Sequence, residues 1–169
     1  MARLRGQRVV IRSLRLDDVE PLFAGRMKLA EQGNLADQPD YEQLRSRIPQ
    51  WSKIRAGRVN LGIEVEGRLI GEIQTFQPAD CSAGSGAAVC EVGMSIYDVA
   101  DRGTGFGAEA MRLFVDWLFG QGLEQVQAST APANRAMRTV FERLGFTRDG
   151  EGGNIETGVV RYRLFRPHG

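Results

Sequence analysis

The chain has 169 residues, a formal net charge of +1 and an apolar fraction of 42%. This length suits one domain with a substantial core, so residues 1–169 are expected to form a single domain. The near-neutral charge gives no global field for nucleic acid or a membrane surface, and neither is an expected partner. Apolar stretches fall far short of the about 20 residues of a membrane span, and the start lacks the apolar core of a signal peptide; we expect a cytoplasmic protein.

Histidine and cysteine are scarce enough to argue against several kinds of site. Cys81 and Cys90 are the only cysteines and form no C-x-x-C motif, while the only histidine, His168, lies one residue from the C-terminus. A disulfide framework, a histidine-based catalytic triad and a histidine-rich zinc site are therefore not expected. We expect no metal.

The N-terminal part predicts a strand followed by a helix. Residues Arg8 to Leu14 are rich in β-branched and apolar side chains and predict the first strand. Asp17 is the predicted N-cap of the first helix, which continues to about Leu29, with Glu20 completing a capping box.

A second helix and a hairpin follow. Residues at helical spacing are Leu44, Ile48, Trp51 and Arg55. Pro49 is expected to kink or split this helix. Val59 to Glu66 and Leu69 to Phe76 flank Gly67 and predict a hairpin. Pro78 to Ala87 is predicted to be a surface loop.

The second half predicts strands alternating with helices. The strands are Val89–Tyr97, Glu124–Ser129 and Val159–Phe165, and the helices are Gly105–Phe119 and Asn134–Leu144. Hairpins mixed with strand–helix units indicate an α/β (α+β) fold, with a mixed sheet and helices on its faces.

A glycine-rich turn is the most informative motif. It reads Arg102-Gly103-Thr104-Gly105-Phe106-Gly107 and lies between a predicted strand and a predicted helix. Glycines allow unusual backbone angles, and the first amides of a helix are free to bind an anion such as a pyrophosphate. The alternative is a flexible turn with a glycine cap and no ligand.

Three phosphate-binding motifs compete for this turn. A P-loop requires Gly-Lys-Ser/Thr, which is absent. A dinucleotide fingerprint, as in a Rossmann-type oxidoreductase, tolerates Gly105 to Ala110, but it should open the fold and precede a strand ending in an acidic residue. Here the next strand ends in Ser129-Thr130. The third pattern, R/Q-x-x-G-x-G/A, is matched by Arg102, Gly105 and Gly107.

The third pattern is the acetyl-CoA signature of the GNAT superfamily of N-acetyltransferases, which the chain resembles over nearly its whole length. The resemblance rests on R-S-L-R-L-D-D-V-E-P-L-F, E-V-G-M-S-I, R-G-T-G-F-G-A-E-A and N-R-A-M-R-T-V-F-E-R-L-G-F. It looks closest to the branch of the ribosomal-protein N-terminal alanine acetyltransferases, a branch that also acetylates antibiotics and small amines.

The resemblance implies a particular fold and reaction. The fold would be a mixed, mostly antiparallel sheet of six to seven strands with about four helices, splayed at its central parallel strands. The reaction would be acetyl transfer from acetyl-CoA to a primary amine of a protein N-terminus or small molecule, by direct attack in a ternary complex. The acceptor, the acyl chain length and the oligomeric state, a homodimer included, are left open.

The resemblance also implies which residues bind the cofactor. Arg102 and residues Gly103 through Gly107 would bind the cofactor, with the main-chain amides from Gly103 through Gly107 holding the pyrophosphate. Gly93 is a candidate bulge where the strand splays. The pantetheine arm would bond to backbone groups of Met94, Ser95 and Ile96 like an added strand. Asn134 would bond the cofactor, be the N-cap of its helix, or do both. Of Arg135, Arg138 and Arg143, at least two are expected to be solvated, and Arg138 is our candidate for the 3′-phosphate.

Glu91 is the candidate general base. It precedes Arg102 by the spacing found between the catalytic glutamate and the signature in histone-type GNATs, and the alternative is a strand glutamate that is exposed or paired with an arginine. Weaker substitutes are Glu64, Glu66 and Glu72.

The general acid departs from the family pattern. Phe141 and Met137 occupy the usual tyrosine and serine positions, which leaves water, Ser129 or Tyr97 as donors. An acyl-CoA-binding module without activity and a transferase using a longer acyl-CoA remain alternatives.

Overall fold

The computed structural model describes residues 3–35, 37–51, 59–76, 89–149 and 158–167. The strands are β1 Leu4–Arg5, β2 Val10–Ser13, β3 Val59–Val65, β4 Arg68–Phe76, β5 Val89–Ile96, β6 Gln125–Thr130, β7 Thr147–Arg148 and β8 Val160–Phe165. The helices are α1 Val19–Glu31, α2 Tyr41–Trp51, α3 Phe106–Gly120 and α4 Arg135–Arg143. The predicted loop Pro78–Ala87 and residue Arg55 lie outside the described residues.

The strands form one sheet in the order β1-β2-β3-β4-β5-β6-β8-β7. Every neighbouring pair is antiparallel except β5 and β6, which are parallel. The predicted mixed, mostly antiparallel fold is therefore confirmed, and a Rossmann-type sheet is excluded because that sheet is mostly parallel. The two-residue strands β1 and β7 raise the count to eight and are too short to give a period-two pattern.

The β3–β4 hairpin follows the prediction. Glu66 and Gly67 connect the strands with φ angles of 50° and 79°. Two consecutive positive φ angles are the mark of the type I′ turn that matches the twist of a hairpin.

The entry into α1 differs from the prediction. A 3-10 turn over Leu16–Asp18 precedes the helix, and the Asp18 carboxylate accepts a hydrogen bond from the Arg15 N–H at 2.7 Å. Asp18 is the N-cap of α1, so the assignment of Asp17 as N-cap is wrong. Asp18 takes the structural role because Arg12 of β2 pairs with it from across the turn.

Helix α2 runs through Pro49 to Trp51, so the predicted split does not occur there. Pro49 lacks an N–H and so removes one i→i−4 hydrogen bond, and the helix continues past it. No described helix is both long enough and apolar enough to cross a membrane.

Two clusters of buried residues lie on opposite faces of the sheet. The larger lies under α3 and α4 and includes Phe114, Phe141 and Tyr162; the smaller lies under α1 and α2 and includes Leu22 and Ile48. The side chains of Ile96, the last residue of β5, and Tyr97, the residue after it, lie on opposite faces: Ile96 packs on the larger cluster and Tyr97 belongs to the smaller. This period-two alternation fixes which side chains of β5 face which layer.

Candidate active site

The two central strands part near the middle of the sheet. β5 pairs with β6 from Val89↔Gln125 to Val92↔Ala128, and the register records no pairing beyond that point between residues 93–96 and residues 129–130. The rest of β6 stays paired with β8. This cleft between β5 and β6, which we call the split, confirms the predicted splay of the parallel strands.

The split needs no bulge at Gly93. β5 keeps a regular register with β4 through Gln74↔Gly93 to Gly71↔Ile96, and the irregularity in the β3–β4 pair lies at Ile63/Glu64. The predicted bulge at Gly93 is therefore wrong. β5 stays in register with β4, and β6 stays paired with β8 beyond the point where its pairing with β5 ends.

The free edge of β5 presents main-chain groups to the split. The Tyr97 N–H donates to the Ile70 carbonyl at 3.0 Å, which makes this a hydrogen-bonded pair of the β4–β5 ladder. In an antiparallel ladder such pairs alternate with pairs whose main-chain groups point away. The main-chain N–H and C=O of Ser95 therefore point towards β4, while those of Met94 and Ile96 point towards the split. Of the three predicted residues, the geometry favours Met94 and Ile96.

The glycine-rich turn lies between the end of β5 and α3. A 3-10 turn over Val99–Asp101 leads into it, and Gly103 and Gly105 have φ angles of 73° and 90°. Gly105 is the N-cap of α3 and has no side chain to cap the helix. The Thr104 hydroxyl donates to the Asp101 carbonyl at 2.8 Å and fastens the turn to the residues before it.

Several N–H groups of this turn are available to a ligand. The first main-chain bond of α3 runs from the Glu109 N–H to the Gly105 carbonyl at 3.0 Å. Within the described ranges, no main-chain acceptor takes the N–H groups of residues 103–105 or of Gly107. Residues 103–105 are also exposed. Free amides at a helix N-terminus favour an anion, and we call residues 103–107 the cradle.

Arg102 holds the cradle against β5. Its guanidinium donates to the carbonyls of Ile96 at 2.8 Å and 3.0 Å and of Tyr97 at 3.2 Å, and to the Gln32 side chain at 2.7 Å. The side chain of this signature arginine is thus engaged with the protein. The Ile96 N–H and the main-chain N–H and C=O of Met94 remain available to a ligand in the split.

Two further ion pairs anchor the 3-10 turn before the cradle. Arg68 of β4 donates to both carboxylate oxygens of Asp101, at 2.8 Å and 2.7 Å, and these hydrogen bonds lower the pKa of Asp101. Lys28 of α1 lies 2.7 Å from Asp98, and that hydrogen bond likewise lowers the pKa of Asp98. The cradle is therefore fixed to β4, β5 and α1 without any ligand.

Glu91 lies beside the base of the split. It is half-buried and pairs with Gln127 two residues before β5 and β6 part. By the alternation along β5 its side chain is on the face opposite α3 and α4. Ser129 of β6 is on the same face, because its neighbour Ala128 belongs to the cluster under α3 and α4.

The weaker glutamate candidates are engaged elsewhere. Glu64 accepts a hydrogen bond from Arg12, and Glu72 accepts hydrogen bonds from Arg26 at 2.9 Å and 2.7 Å. Glu66 is exposed in the β3–β4 turn. Glu91 is therefore the best placed of the four to accept a proton at the split.

The candidate proton donors differ in position. Phe141 is buried against Phe146 and Tyr162, so the usual tyrosine position is part of the core. Burial raises the pKa of Tyr97 well above its usual value, and the nearby Glu72 carboxylate raises it further. Ser129 lies on the end of β6 that pairs with β8 but not with β5, and is the candidate closest to the split along the strand.

The start of α4 carries two of the predicted cofactor-binding residues, Asn134 and Arg138. The Asn134 side-chain oxygen accepts the Met137 N–H at 3.1 Å, so its role as N-cap is confirmed. The amide NH2 of Asn134 stays a candidate ligand donor. Arg138 donates to the Pro132 carbonyl at 3.2 Å and to the Tyr162 hydroxyl at 3.3 Å, which ties α4 to β8. Arg135 and Arg143 are exposed.

Sequence reasoning missed two residues at the cradle. Arg8 donates to the Thr104 carbonyl at 3.1 Å, and Glu109 accepts the Arg8 N–H at 2.8 Å. About a hundred residues separate these partners, and no local pattern signals such a pairing. The described residues hold no group of three or more His, Cys, Asp or Glu side chains arranged to bind a metal.

The open mixed sheet, its parted central strands and the glycine-rich start of α3 define the fold of an N-acetyltransferase. Residues 8–147 match the family described as acetyltransferase (GNAT) domain, and the chain belongs to this family. The predicted enzyme class, an N-acetyltransferase, is thereby confirmed.

Relatives and solved structures agree with this assignment. The probable N-acetyltransferase YjcK of Bacillus subtilis (strain 168) is 28% identical over 158 residues, which cover 87% of this chain and 84% of that protein. The ribosomal-protein-S5-alanine acetyltransferase of Vibrio fischeri has the same fold, with a TM-score of 0.79, 16% identity and coverage of 98% and 97% of the two chains. The microcin C7 self-immunity acetyltransferase MccE, solved with acetyl-CoA and AMP, has a TM-score of 0.74 and 15% sequence identity. The match covers 95% of this chain and 94% of MccE.

Proposed function

We propose that this chain transfers the acetyl group of acetyl-CoA to a primary amine, by direct attack of the amine in a ternary complex. The observation that carries the proposal is the adjacency of the cradle to the free edge of β5. The cradle provides main-chain amides for a diphosphate, and the free edge of β5 provides strand-like hydrogen bonds for an extended amide chain. Diphosphate and amide chain are directly joined in CoA, as the cradle and the free edge of β5 are adjacent in the structure.

The residues of the cradle fit an anionic group. Gly103 and Gly105 take positive φ angles, and a Cβ at position 103 would meet no atom within 4 Å, so the exposed surface is open to a ligand. MccE, which shares the fold, was solved with acetyl-CoA. That complex supports acetyl-CoA as the donor here.

Chemistry at the split divides among a few residues. The thioester supplies an electrophilic carbonyl; the amine nitrogen forms a C–N bond with it and the C–S bond breaks. Glu91 takes the amine proton, directly or through water, since it stands beside the point where the strands part. The CoA thiol has a pKa near ~8.5 in solution, so its thiolate departs without a general acid and then takes a proton from water, directly or relayed by the Ser129 hydroxyl.

A primary amine is the proposed acceptor class, either a protein N-terminus or a small molecule. The fold shared with the S5-alanine acetyltransferase supports the first. An amine with pKa ~10.4 must lose a proton at a cost of ~4.6 kcal/mol at pH 7, whereas an α-amino group with pKa ~8 costs only ~1.4 kcal/mol. A general base therefore matters far more for a lysine-like acceptor.

Two measurements test the proposal. Calorimetry with CoA and acetyl-CoA should detect binding to the folded protein, and an acceptor screen that reads released thiol should detect turnover with at least one amine class. Absence of CoA binding would overturn the proposal. Binding without turnover across N-terminal peptides, polyamines and aminoglycosides would favour the non-catalytic module, which the buried Phe141 at the usual tyrosine position supports.

A further inference from the structure

We propose that Arg8 is a positioning residue for the cradle, because it turns the N–H of Gly105 towards a bound diphosphate. The inference rests on the proposed function and names a residue that the signature motif does not contain. Arg8 precedes β2, and 96 residues separate it in sequence from Thr104, whose carbonyl it binds.

The guanidinium of Arg8 is held behind the cradle by two contacts. Its Nη1 donates to the Thr104 carbonyl at 3.1 Å, and its Cζ lies 4.8 Å from the centroid of the Phe106 ring, over the ring face. A Cβ at position 105 would lie 2.9 Å from its Nη2. Glycine at 105 therefore gives room for the guanidinium as well as the positive φ.

The orientation of one peptide group follows from the first contact. No cis peptide bond occurs among the described residues, so the peptide joining Thr104 to Gly105 is trans. The C=O and N–H of a trans peptide point in opposite directions. Since the Thr104 carbonyl is turned towards Arg8, the Gly105 N–H is turned away from it, to the side where an anion meets the other free amides.

Glu109 fixes Arg8 in this place. Its Oε1 accepts the N–H groups of Arg8 at 2.8 Å and Val9 at 3.0 Å, and its Oε2 lies 3.5 Å from the Arg8 Nε. Burial raises the pKa of Glu109, but the main-chain N–H donors and the positive charge of Arg8 together outweigh it, and the net shift is downward. The carboxylate thus stays charged and offsets part of the guanidinium charge. This favours orientation of the peptide over attraction of the ligand as the contribution of Arg8.

The test compares two acetyl donors, of which only acetyl-CoA carries the nucleotide part with its diphosphate. Steady-state kinetics of Arg8→Ala and Arg8→Lys are measured with acetyl-CoA and with S-acetylpantetheine, which has the same thioester and amide arm but no diphosphate. Arg112→Ala, a substitution of an exposed arginine of α3, is the matched control.

We expect Arg8→Ala to raise the KM for acetyl-CoA about tenfold with kcat within about twofold, as for one lost charge-assisted hydrogen bond. The kcat/KM for S-acetylpantetheine should stay at the wild-type value.

The remaining outcomes each decide the question. An equal loss with both donors, or no loss with either, would overturn the role of Arg8. Arg8→Lys keeps a charged hydrogen-bond donor, so its KM for acetyl-CoA should lie between those of the wild type and Arg8→Ala. If Arg8→Ala does not fold, the comparison of acetyl-CoA with S-acetylpantetheine in Arg8→Lys decides the question. Wild-type protein that binds no CoA at all would instead overturn the proposed function.

Discussion

The guanidinium of Arg102 donates two hydrogen bonds to the Ile96 carbonyl, from Nη2 at 2.8 Å and from Nε at 3.0 Å. Ile96 is the last residue of β5, and Arg102 is the first residue of the signature motif. These bonds set the distance between the free edge of β5 and the cradle. A ligand that spans both features is bound only if that distance matches its own length.

The first prediction concerns this pair. Arg102→Ala should weaken CoA binding about tenfold, since the loss of its hydrogen bonds lets the cradle move relative to β5. Arg102 is exposed, so the thermal midpoint should change little. Isothermal titration calorimetry with CoA measures the effect, and Arg112→Ala is the control. Unchanged affinity in Arg102→Ala would show that the hydrogen bonds do not set the binding geometry.

The second prediction concerns Gly105. Its φ of 90° and its closeness to Arg8 both oppose a side chain. Gly105→Ala should destabilise the fold by about 1–2 kcal/mol, the usual cost of a left-handed conformation for a residue with a Cβ, and should weaken CoA binding. Urea unfolding and calorimetry measure the two effects.

Gly120 at the other end of α3 is the matched control for that substitution. A Cβ there meets no atom within 4 Å and no positive φ is needed. Gly120→Ala should leave CoA affinity unchanged and raise stability by up to about 1 kcal/mol, since alanine favours a helix. Equal effects at positions 105 and 120 would contradict a special backbone conformation at the cradle.

Local patterns predicted the parts of the fold that depend on neighbouring residues. Gly67 in the hairpin, Asn134 at the start of α4 and the glycines before α3 are all signalled within a few residues, because turn and cap chemistry is local. The structure agrees at each of these positions. The splay of the sheet followed from the family resemblance, not from any residue pattern.

Contacts chosen by the tertiary fold could not be read from local patterns. Asp17 and Asp18 are equivalent as sequence signals, and only the position of Arg12 on β2 selects Asp18. Arg102 was predicted to bind the cofactor, but its side chain donates to the Ile96 carbonyl. That carbonyl is available to Arg102 only because β5 no longer pairs with β6 at this point. A free carbonyl depends on strand pairing, which sequence patterns leave open.

The third prediction concerns Asp18 and pH. Arg12 donates to its two carboxylate oxygens at 2.7 Å and 2.9 Å, with side-chain exposures of 8% and 9%. Burial raises the pKa of Asp18, but the hydrogen bonds from Arg12 and from the Arg15 N–H outweigh it and lower the pKa below its usual value. A lowered folded-state pKa gives stability that is fully present above the unfolded-state pKa of ~3.9 and is lost as the pH falls through the folded-state pKa.

Asp18→Asn tests this linkage. It should cost about 3 kcal/mol at pH 7, the usual price of breaking a buried ion pair, and progressively less below pH 4, where the wild type loses the same contribution. Urea unfolding at a series of pH values gives the difference. Asp17→Asn, at the exposed neighbour, should follow the wild type throughout. A cost for Asp18→Asn that does not change with pH would show that the charge of Asp18 is not what stabilises the fold.

The fourth prediction concerns Glu91 as the general base. With a lysine-like acceptor, Glu91→Gln should lower kcat/KM about 100-fold at pH 7, within the range for a lost general base. The loss should shrink at pH 9, because far more of an amine with pKa ~10.4 is then neutral without help. The variant keeps the size and shape of the side chain and removes its charge, so binding of acetyl-CoA should not change.

Glu124→Gln, at an exposed position just before β6, is the control for this profile. It removes a carboxylate near the same end of the sheet and should match the wild type at both pH values. If Glu91→Gln gives a wild-type profile with a lysine-like amine, then Glu91 does not remove the proton. A small effect with α-amino acceptors alone would not count against Glu91, since their deprotonation costs only ~1.4 kcal/mol at pH 7.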